Sequence, residues 1–325
     1  MKYIKRIAGK WKEEIDLYVA LRRKDKDYVK KFKKYSFWGN KCNEEKQYEA
    51  VITRWQHTIE KGLSYIDYRP GFGKANMDAL LTAMENYVAD GYSTDAFFFK
   101  TALSTIISYI SRNKEYGIEE NEIESRIKAM GGTSNGLGGV LRFSPPDEKD
   151  IRKSGYEEFA KSRHSMRHFS DEPVMLDRIK SAVQLAQYTP SACNRQGWRT
   201  IVISDKNMIK QVCSNQNGNR GFGQEFDKML LVTADLRCFN RDRELFQAFI
   251  DGGMYAENIL NALHYEHIAS VPLSVSLQRK QEINIRRLLH LHDAEILILL
   301  IGIGNYPDIC QTARSERHPV EIEII

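Results

Sequence analysis

Two short stretches hold the side chains best suited to chemistry. In Ser162-Arg163-His164-Ser165-Met166-Arg167-His168-Phe169-Ser170, two guanidinium groups, a histidine and a hydroxyl fall within five residues. Guanidinium forks bind many-oxygened anions through paired N–H donors, and a hydroxyl adds a contact. Arg163 and Arg167, four apart, would share one helical face or flank one turn. The second stretch, Thr189-Pro190-Ser191-Ala192-Cys193-Asn194-Arg195-Gln196-Gly197-Trp198-Arg199, is a turn of small residues and amides running into an apolar, β-like segment. Pro190, Ser191 and Ala192 allow close backbone approach. Asn194 and Gln196 each offer a donor and an acceptor, as the edge of a flat heterocycle requires. Together the stretches suggest a flat, phosphate-bearing cofactor. Taken apart, the first also reads as a helix start with serine caps and exposed charges, and the second as an ordinary loop before a strand.

Elements on both sides must position these residues. Residues 43–63 read as a helix ending at Gly62, followed by the Pro-Gly turn Tyr68-Arg69-Pro70-Gly71-Phe72-Gly73-Lys74. The mixture of Glu60, Lys61, Arg69 and glycines there suits a site, and equally a helix end with a tight turn. Apolar residues recur at helical spacing through 75–130. The glycine-rich run 131–139 and Ser144-Pro145-Pro146 have linker chemistry, so a domain boundary is expected between 131 and 155. Beyond it, strand-like runs at Trp198–Ser204, Lys228–Ala234 and Ala294–Ile303 alternate with helical patterns near 175–188, 240–265 and 278–289. Strands and helices mixed in this way indicate an α/β or α+β domain.

Composition narrows the class. Of 325 residues, 42% are apolar and 28% charged, as in folded globular chains rather than disordered ones. Five scattered cysteines without a Cys-x-x-Cys pair argue against a disulfide framework and for a reducing, cytoplasmic setting, as does a start lacking a secretory signal. The net charge of +5 is unevenly spread: residues 1–40 carry 13 Lys or Arg against 5 Asp or Glu, a local +8 that leaves −3 for the rest. Ile4, Ile7, Trp11, Ile15 and Tyr18 share one face of this basic helix. Docking on the protein itself or on a dimer partner is the simplest reading; peripheral contact with an anionic membrane or another protein is the alternative. No nucleic-acid motif accompanies the charge. His264 with His267, and His290 with His292, have spacings that could serve a metal, but no third ligand is well spaced, so no metal site is expected. Cys193 lies in the proposed cofactor loop and could be redox-sensitive.

The order Arg-x-Ser-x-Arg-x-Phe, then Pro-Ser-Ala-x-Asn-x-Gln-x-Trp, resembles the FMN-dependent nitroreductase superfamily. Asp251-Gly252-Gly253 with Asn258 resembles its central helix, and His267–Leu273 the strand that follows. Ile301–Asp308 resembles its last strand and Gly-Tyr-Pro turn, and Arg317-His318-Pro319 its closing segment. The resemblance implies a nitroreductase-like three-layer α+β domain over 151–325, with a central mixed sheet flanked by helices, after an all-helical extension over 1–150 such as some members of unassigned function carry. It implies a homodimer with FMN at the subunit interface. Arg163, His164, Ser165 and Arg167, with Arg317, would hold the phosphate and ribityl end. Pro190, Ser191, Ala192 and Asn194 of the other subunit would line the ring, with Gln196 nearby. Backbone near Leu273, Ser274 and Val275 would face N5, and Asn219 would contact the ring. The implied activity takes hydride from NAD(P)H and reduces a small organic acceptor: a nitro compound, quinone, enone or biosynthetic intermediate. A flavin-binding protein recruited by its extension to a partner or membrane enzyme is the alternative. Two positions depart from the pattern: Gly197 stands where proline is common, and Ser315 where lysine is common, with Arg314 beside it.

Overall fold

The structure is a computed structural model that describes residues 11, 13–23, 25–26, 29–30, 42–239 and 242–325. The described residues between 11 and 30 are helical, with Trp11, Ile15 and Tyr18 exposed. Ile4, Ile7 and the basic run 31–34 lie outside the described residues. Among the described residues, no helix is long and apolar enough to cross a membrane.

The chain divides into two compact units. One comprises Ser144–Cys310 with the N-terminal segment to Tyr28; the other comprises Val29–Phe143 with Gln311–Ile325. The last fifteen residues, Arg317 among them, thus group with the helices rather than with the domain expected to run from 151 to 325.

The helical unit is built on α1 (Glu45–Leu63), α2 (Lys74–Ala89), α3 (Phe97–Lys114) and α4 (Asn121–Met130). Tyr48, Ile52, Ile59, Leu80, Met84, Tyr87, Phe99 and Ile106 close its core. The unit is not wholly helical: β1 (Val140–Phe143) pairs with β6 (Cys310–Ala313). Nor is the glycine run before β1 a free connector. A Cβ at Gly138 would lie 2.5 Å from the Thr101 carbonyl oxygen, and one at Gly139 would lie 2.6 Å from Ser108 Oγ. Those glycines serve close packing on α3 rather than looseness.

The other unit is an α+β domain. It starts with α5 (Glu148–Lys153), α6 (Tyr156–Ser162) and α7 (Leu176–Ala186). Then come β2 (Trp198–Ile203), α8 (Lys206–Ser214), β3 (Lys228–Asp235), α9 (Gln247–Tyr265), β4 (Ala269–Leu273), α10 (Arg279–Leu288) and β5 (Glu295–Gly304). The sheet order is β2-β3-β5-β4, each neighbour antiparallel. Seven of the eight β3 residues are buried, so both faces of that strand are covered. Side chains alternate across a strand. Leu230 and Val232 accordingly join Tyr255, Ile259 and Leu263 of α9 in one core, while Met229, on the other face, meets Cys213 of α8 at 3.6 Å. Helix, sheet and helix form three layers. Sequence patterning starts the central helix near 240, whereas α9 begins at Gln247, after a 3-10 turn over Asp242–Glu244.

Two glycines of β5 fix what lies beside the sheet. A Cβ at Gly302 would sit 2.3 Å from the Phe226 ring, and one at Gly304 would sit 2.7 Å from Phe169. Phe169 closes the arginine stretch, so Gly304 admits the anchor of that segment. Gly304→Ala is expected to cost about 1–3 kcal/mol through overpacking, read as a lower urea midpoint at unchanged slope. An unshifted midpoint would show that Phe169 moves aside freely.

Candidate functional site

The arginine stretch is extended, not helical. Helix α6 ends at Ser162, and Arg163 takes φ −75° and ψ 118°. Ser165 bridges in parallel to Ser270 of β4, with Met166 N donating to Ser270 O at 2.9 Å, and Ser170 N donates to Asn305 O at 3.1 Å. The segment spends its backbone on the sheet edge, which is why the four-residue spacing does not become a helical turn. In an extended chain, residues two apart share a side, so Arg163, Ser165 and Arg167 are presented together. Arg167 is buried and its Nη1 donates to Ser165 O at 3.3 Å. One nitrogen of Arg163, Nη1, is buried with no hydrogen-bond partner among the described residues.

His264, near the C-terminal end of α9, braces this segment. Its Nε2 lies 2.8 Å from Ser162 Oγ and its Nδ1 lies 3.0 Å from the Tyr306 hydroxyl. Burial, with the neighbouring charge of Arg163, pushes the imidazole pKa down to about 4. It is therefore a neutral ring that donates through one nitrogen and accepts through the other. The metal spacing noted in the sequence resolves into such structural roles: His267 Nε2 lies 2.7 Å from Pro146 O, and His292 Nδ1 accepts from Ala294 N at 3.0 Å. No cluster of three metal-capable groups occurs among the described residues.

The end of β4 and the loop after α8 meet the same region. Gln216 Nε2 donates to Ser274 O at 3.0 Å, while Gln216 Oε1 accepts from Gly218 N at 2.6 Å. Asn219 is turned inward, its Nδ2 donating to Cys213 O and Gln216 O, each at 2.8 Å. His168 Nδ1 lies 2.7 Å from Glu225, just after this loop. Leu273 is buried and Ser274 exposed. Sequence reasoning missed Gln216 and Glu225; each is an ordinary polar residue whose partner lies at least 57 positions away.

The Thr189–Gln196 loop hangs from α9 at two points. Ala192 N donates to Asp251 Oδ2 at 3.1 Å, and Asn258 Nδ2 donates to Thr189 Oγ1 at 2.6 Å. Cys193, Asn194 and Gln196 have φ of 53°, 54° and 48°, in the left-handed region that non-glycine residues enter rarely. Gln196 N donates to Ser191 Oγ at 3.0 Å, and Arg195 pairs with Glu244. Pro190, Cys193, Asn194 and Gln196 remain exposed. Gly197 suits its place, because a Cβ there would lie 3.0 Å from Cys238 Cβ. Along the axis of α9, His264 lies about 20 Å from Asp251 and about 9 Å from Asn258.

Arg317 is exposed in the other unit and donates to the Ser315 carbonyl. Its neighbours are committed as well: Arg314 pairs with Glu316 at 3.3 Å, and Ser315 N donates to Glu60 at 3.2 Å.

The domain is thus α+β, with paired arginines along a sheet edge and an amide-rich loop on its central helix. Residues 160–220 match the family model described as Nitroreductase family. An Archaeoglobus fulgidus protein provisionally named NADH dehydrogenase/NAD(P)H nitroreductase is 28% identical over 149 residues, which cover 45% of this chain and 82% of that one. An iodotyrosine deiodinase of Daphnia pulex is 31% identical over 104 residues, covering 30% of this chain and 34% of that one. A Desulfovibrio desulfuricans structure, provisionally described as a nitroreductase in complex with FMN, is 18% identical with a TM-score of 0.42, covering 47% of this chain and 87% of that chain. Through residues 160–220 the chain resembles the Nitroreductase family.

The low pKa of His264 has a consequence for stability. Its folded value lies below the ordinary 6.5, so the unfolded chain takes up the proton first. The stabilisation is complete above the ordinary value and is lost as pH falls toward the folded one. Between about pH 7 and about pH 5 the loss is on the order of 2 kcal/mol. Urea unfolding of the wild type and of His264→Gln should therefore converge as pH falls. Parallel curves would show that His264 does not titrate in this way.

Proposed function

We propose that the C-terminal unit holds FMN and acts as an oxidoreductase that takes hydride from NADH or NADPH and passes it to a small organic acceptor. The buried, unpartnered Nη1 of Arg163 is the observation that carries this reading. A buried guanidinium N–H without an acceptor is costly, and a phosphate supplies several charged oxygens at once. Ser165 and Arg167, on the same side of the extended segment, complete a cradle that fits such an anion. His164, between the two arginines, belongs to the same end. When bound, FMN supplies the hydride chemistry that side chains lack.

The chain's own residues bind and orient. Arg163, Ser165 and Arg167 take the phosphate end. Gln216, by fixing the Ser274 carbonyl, sets the backbone of Leu273, Ser274 and Val275 at the edge where hydride is exchanged. With its amide nitrogen spent on the loop, Asn219 shapes that edge through its backbone and carbonyl oxygen.

The loop bearing Pro190, Ser191, Ala192, Asn194 and Gln196 is assigned to the ring of the flavin in a second copy of the chain. One observation supports this. The outer side of α9 carries exposed Phe246, Phe249, Ile250 and Met254, spaced as one apolar stripe. A second copy covering that stripe would bring its loop to the cofactor and exclude water from the ring.

Purified protein should retain FMN and show bleaching of its visible bands on anaerobic addition of NADH or NADPH. Arg163→Ala and Arg167→Ala should each lower FMN affinity about ten-fold or more, as expected for lost charge-assisted hydrogen bonds. Unchanged affinity in both would remove the phosphate cradle. Retained FMN that neither nicotinamide bleaches would instead assign the chain a flavin-binding role without this donor.

A further inference from the structure

On the α8 face of the sheet, opposite α9, lies a cavity whose cations take no part in the function proposed above. Its volume is about 720 Å³, and it is bounded by α8, the loop that follows and the first turn of α10. Cavities of roughly 300–1,000 Å³ are the size that takes a small organic ligand. Lys206, Ile209, Lys210 and Cys213, spaced three and four apart, bring one face of α8 to it. Buried Ile209 and Phe226 close its floor, and Arg220 adds a third cation from the loop. Among the described residues no Asp or Glu lines it.

Charge here runs against the rest of the body. Residues 41–325 carry a net −3, yet 206–224 hold three cations and no carboxylate. Lys206 and Lys210 are like charges four apart on one helix, an arrangement that weakens it. Lys206 Nζ donates to Phe226 O at 2.9 Å and lies 3.5 Å from Asp227 Oδ1. Asp227 is already held by Lys228 Nζ at 2.6 Å and by Val174 N at 2.8 Å. Lys210 has no hydrogen-bond or ion-pair partner among the described residues. The positive charge lining the cavity is thus only partly answered by the fold.

The amides of the wall, by contrast, are spent on structure. Gln281 Nε2 donates to Asn217 Oδ1 at 2.9 Å and its Oε1 accepts from Gln278 N at 2.8 Å, tying the loop to α10. Gln216 is bonded to Ser274, and Asn219 to Gln216. Gly223 keeps the wall closely packed, since a Cβ there would lie 2.6 Å from Asn219 Oδ1. Committed amides beside three cations recognise phosphate charge rather than the edge of a particular ring.

We propose that this cavity is a second anion site, separate from the Arg163 cradle, that takes the phosphate groups of a nucleotide-sized organic phosphate. A phosphate between Lys206 and Lys210 turns a repulsive pair into two charge-assisted contacts, and Arg220 supplies a third. The concave shape suits a compact ligand better than a broad nucleic-acid or membrane surface.

The test titrates ADP calorimetrically into the full chain as purified, with adenosine as the phosphate-free control. ADP should bind, and adenosine should bind about ten-fold more weakly or less tightly still. Lys210→Gln and Arg220→Gln should each weaken ADP about ten-fold, as expected for a lost charge-assisted contact. Both side chains are exposed, so the fold stands in each variant. GDP should match ADP, because the wall reads charge, and affinity should fall as salt rises. Arg163→Ala should leave ADP affinity unchanged, and Lys210→Gln should leave FMN affinity unchanged, so the two sites fail separately. Two sources carry this chemistry: a free nucleotide, and the nicotinamide donor of the activity proposed above. A KM for NADPH or NADH that rises in Lys210→Gln assigns the site to the donor's phosphates. Unchanged KM values with weakened ADP binding assign it to a free nucleotide.

A wild type that binds no ADP overturns the proposal, as do variants that bind it as tightly as the wild type. Adenosine binding as tightly as ADP does the same, and so does ADP binding that disappears in Arg163→Ala. A DNA duplex or a phosphatidylglycerol vesicle bound in preference to ADP, and released by Lys210→Gln, would replace the small ligand with a macromolecular one.

Discussion

The C-terminal unit depends on the burial of one helix. Helix α9 lies against the four-stranded sheet with Tyr255, Ile259 and Leu263 fully buried, and Trp198 stacks on Tyr255 at 4.6 Å. Apolar burial of this kind is the largest favourable contribution a domain has. It is also what makes polar placement accurate here. Once the helix axis is fixed, Asp251 meets the Ala192 amide near one end, Asn258 meets the Thr189 hydroxyl further along, and His264 meets Ser162 and Tyr306 at the other end. Both candidate segments are thus set by a common scaffold.

Much of this was legible in the sequence, for identifiable reasons. The strands over 228–235 and 295–304 are long apolar runs, because strands covered on both faces leave little room for polar residues. The arginine segment was legible as chemistry but not as conformation. A spacing of four fits a helix and also fits alternate residues of an extended chain. What decides is the pairing of Ser165 and Met166 with Ser270, more than a hundred positions away. The same limit hid Gln216, whose importance lies wholly in the Ser274 carbonyl it finds. The three left-handed residues Cys193, Asn194 and Gln196 gave no signal either, since these residue types are unremarkable in a turn.

The glycine run at 131–139 shows how composition can mislead. Glycine density suggests looseness, but Gly138 and Gly139 are small because α3 passes too close for a side chain. The order they impose extends to Glu60 and from there to the C-terminal segment. Ser315 contributes a backbone amide to that carboxylate.

The central claim is that one FMN is held jointly by two copies of this chain. Sedimentation velocity of the purified holoprotein, followed at once by protein absorbance and by the visible absorbance of flavin, addresses it directly. The flavin signal should move with a single boundary of twice the chain mass, at one FMN per chain. Flavin travelling with a boundary of the single-chain mass would contradict the shared site, and a colourless boundary would contradict the cofactor itself.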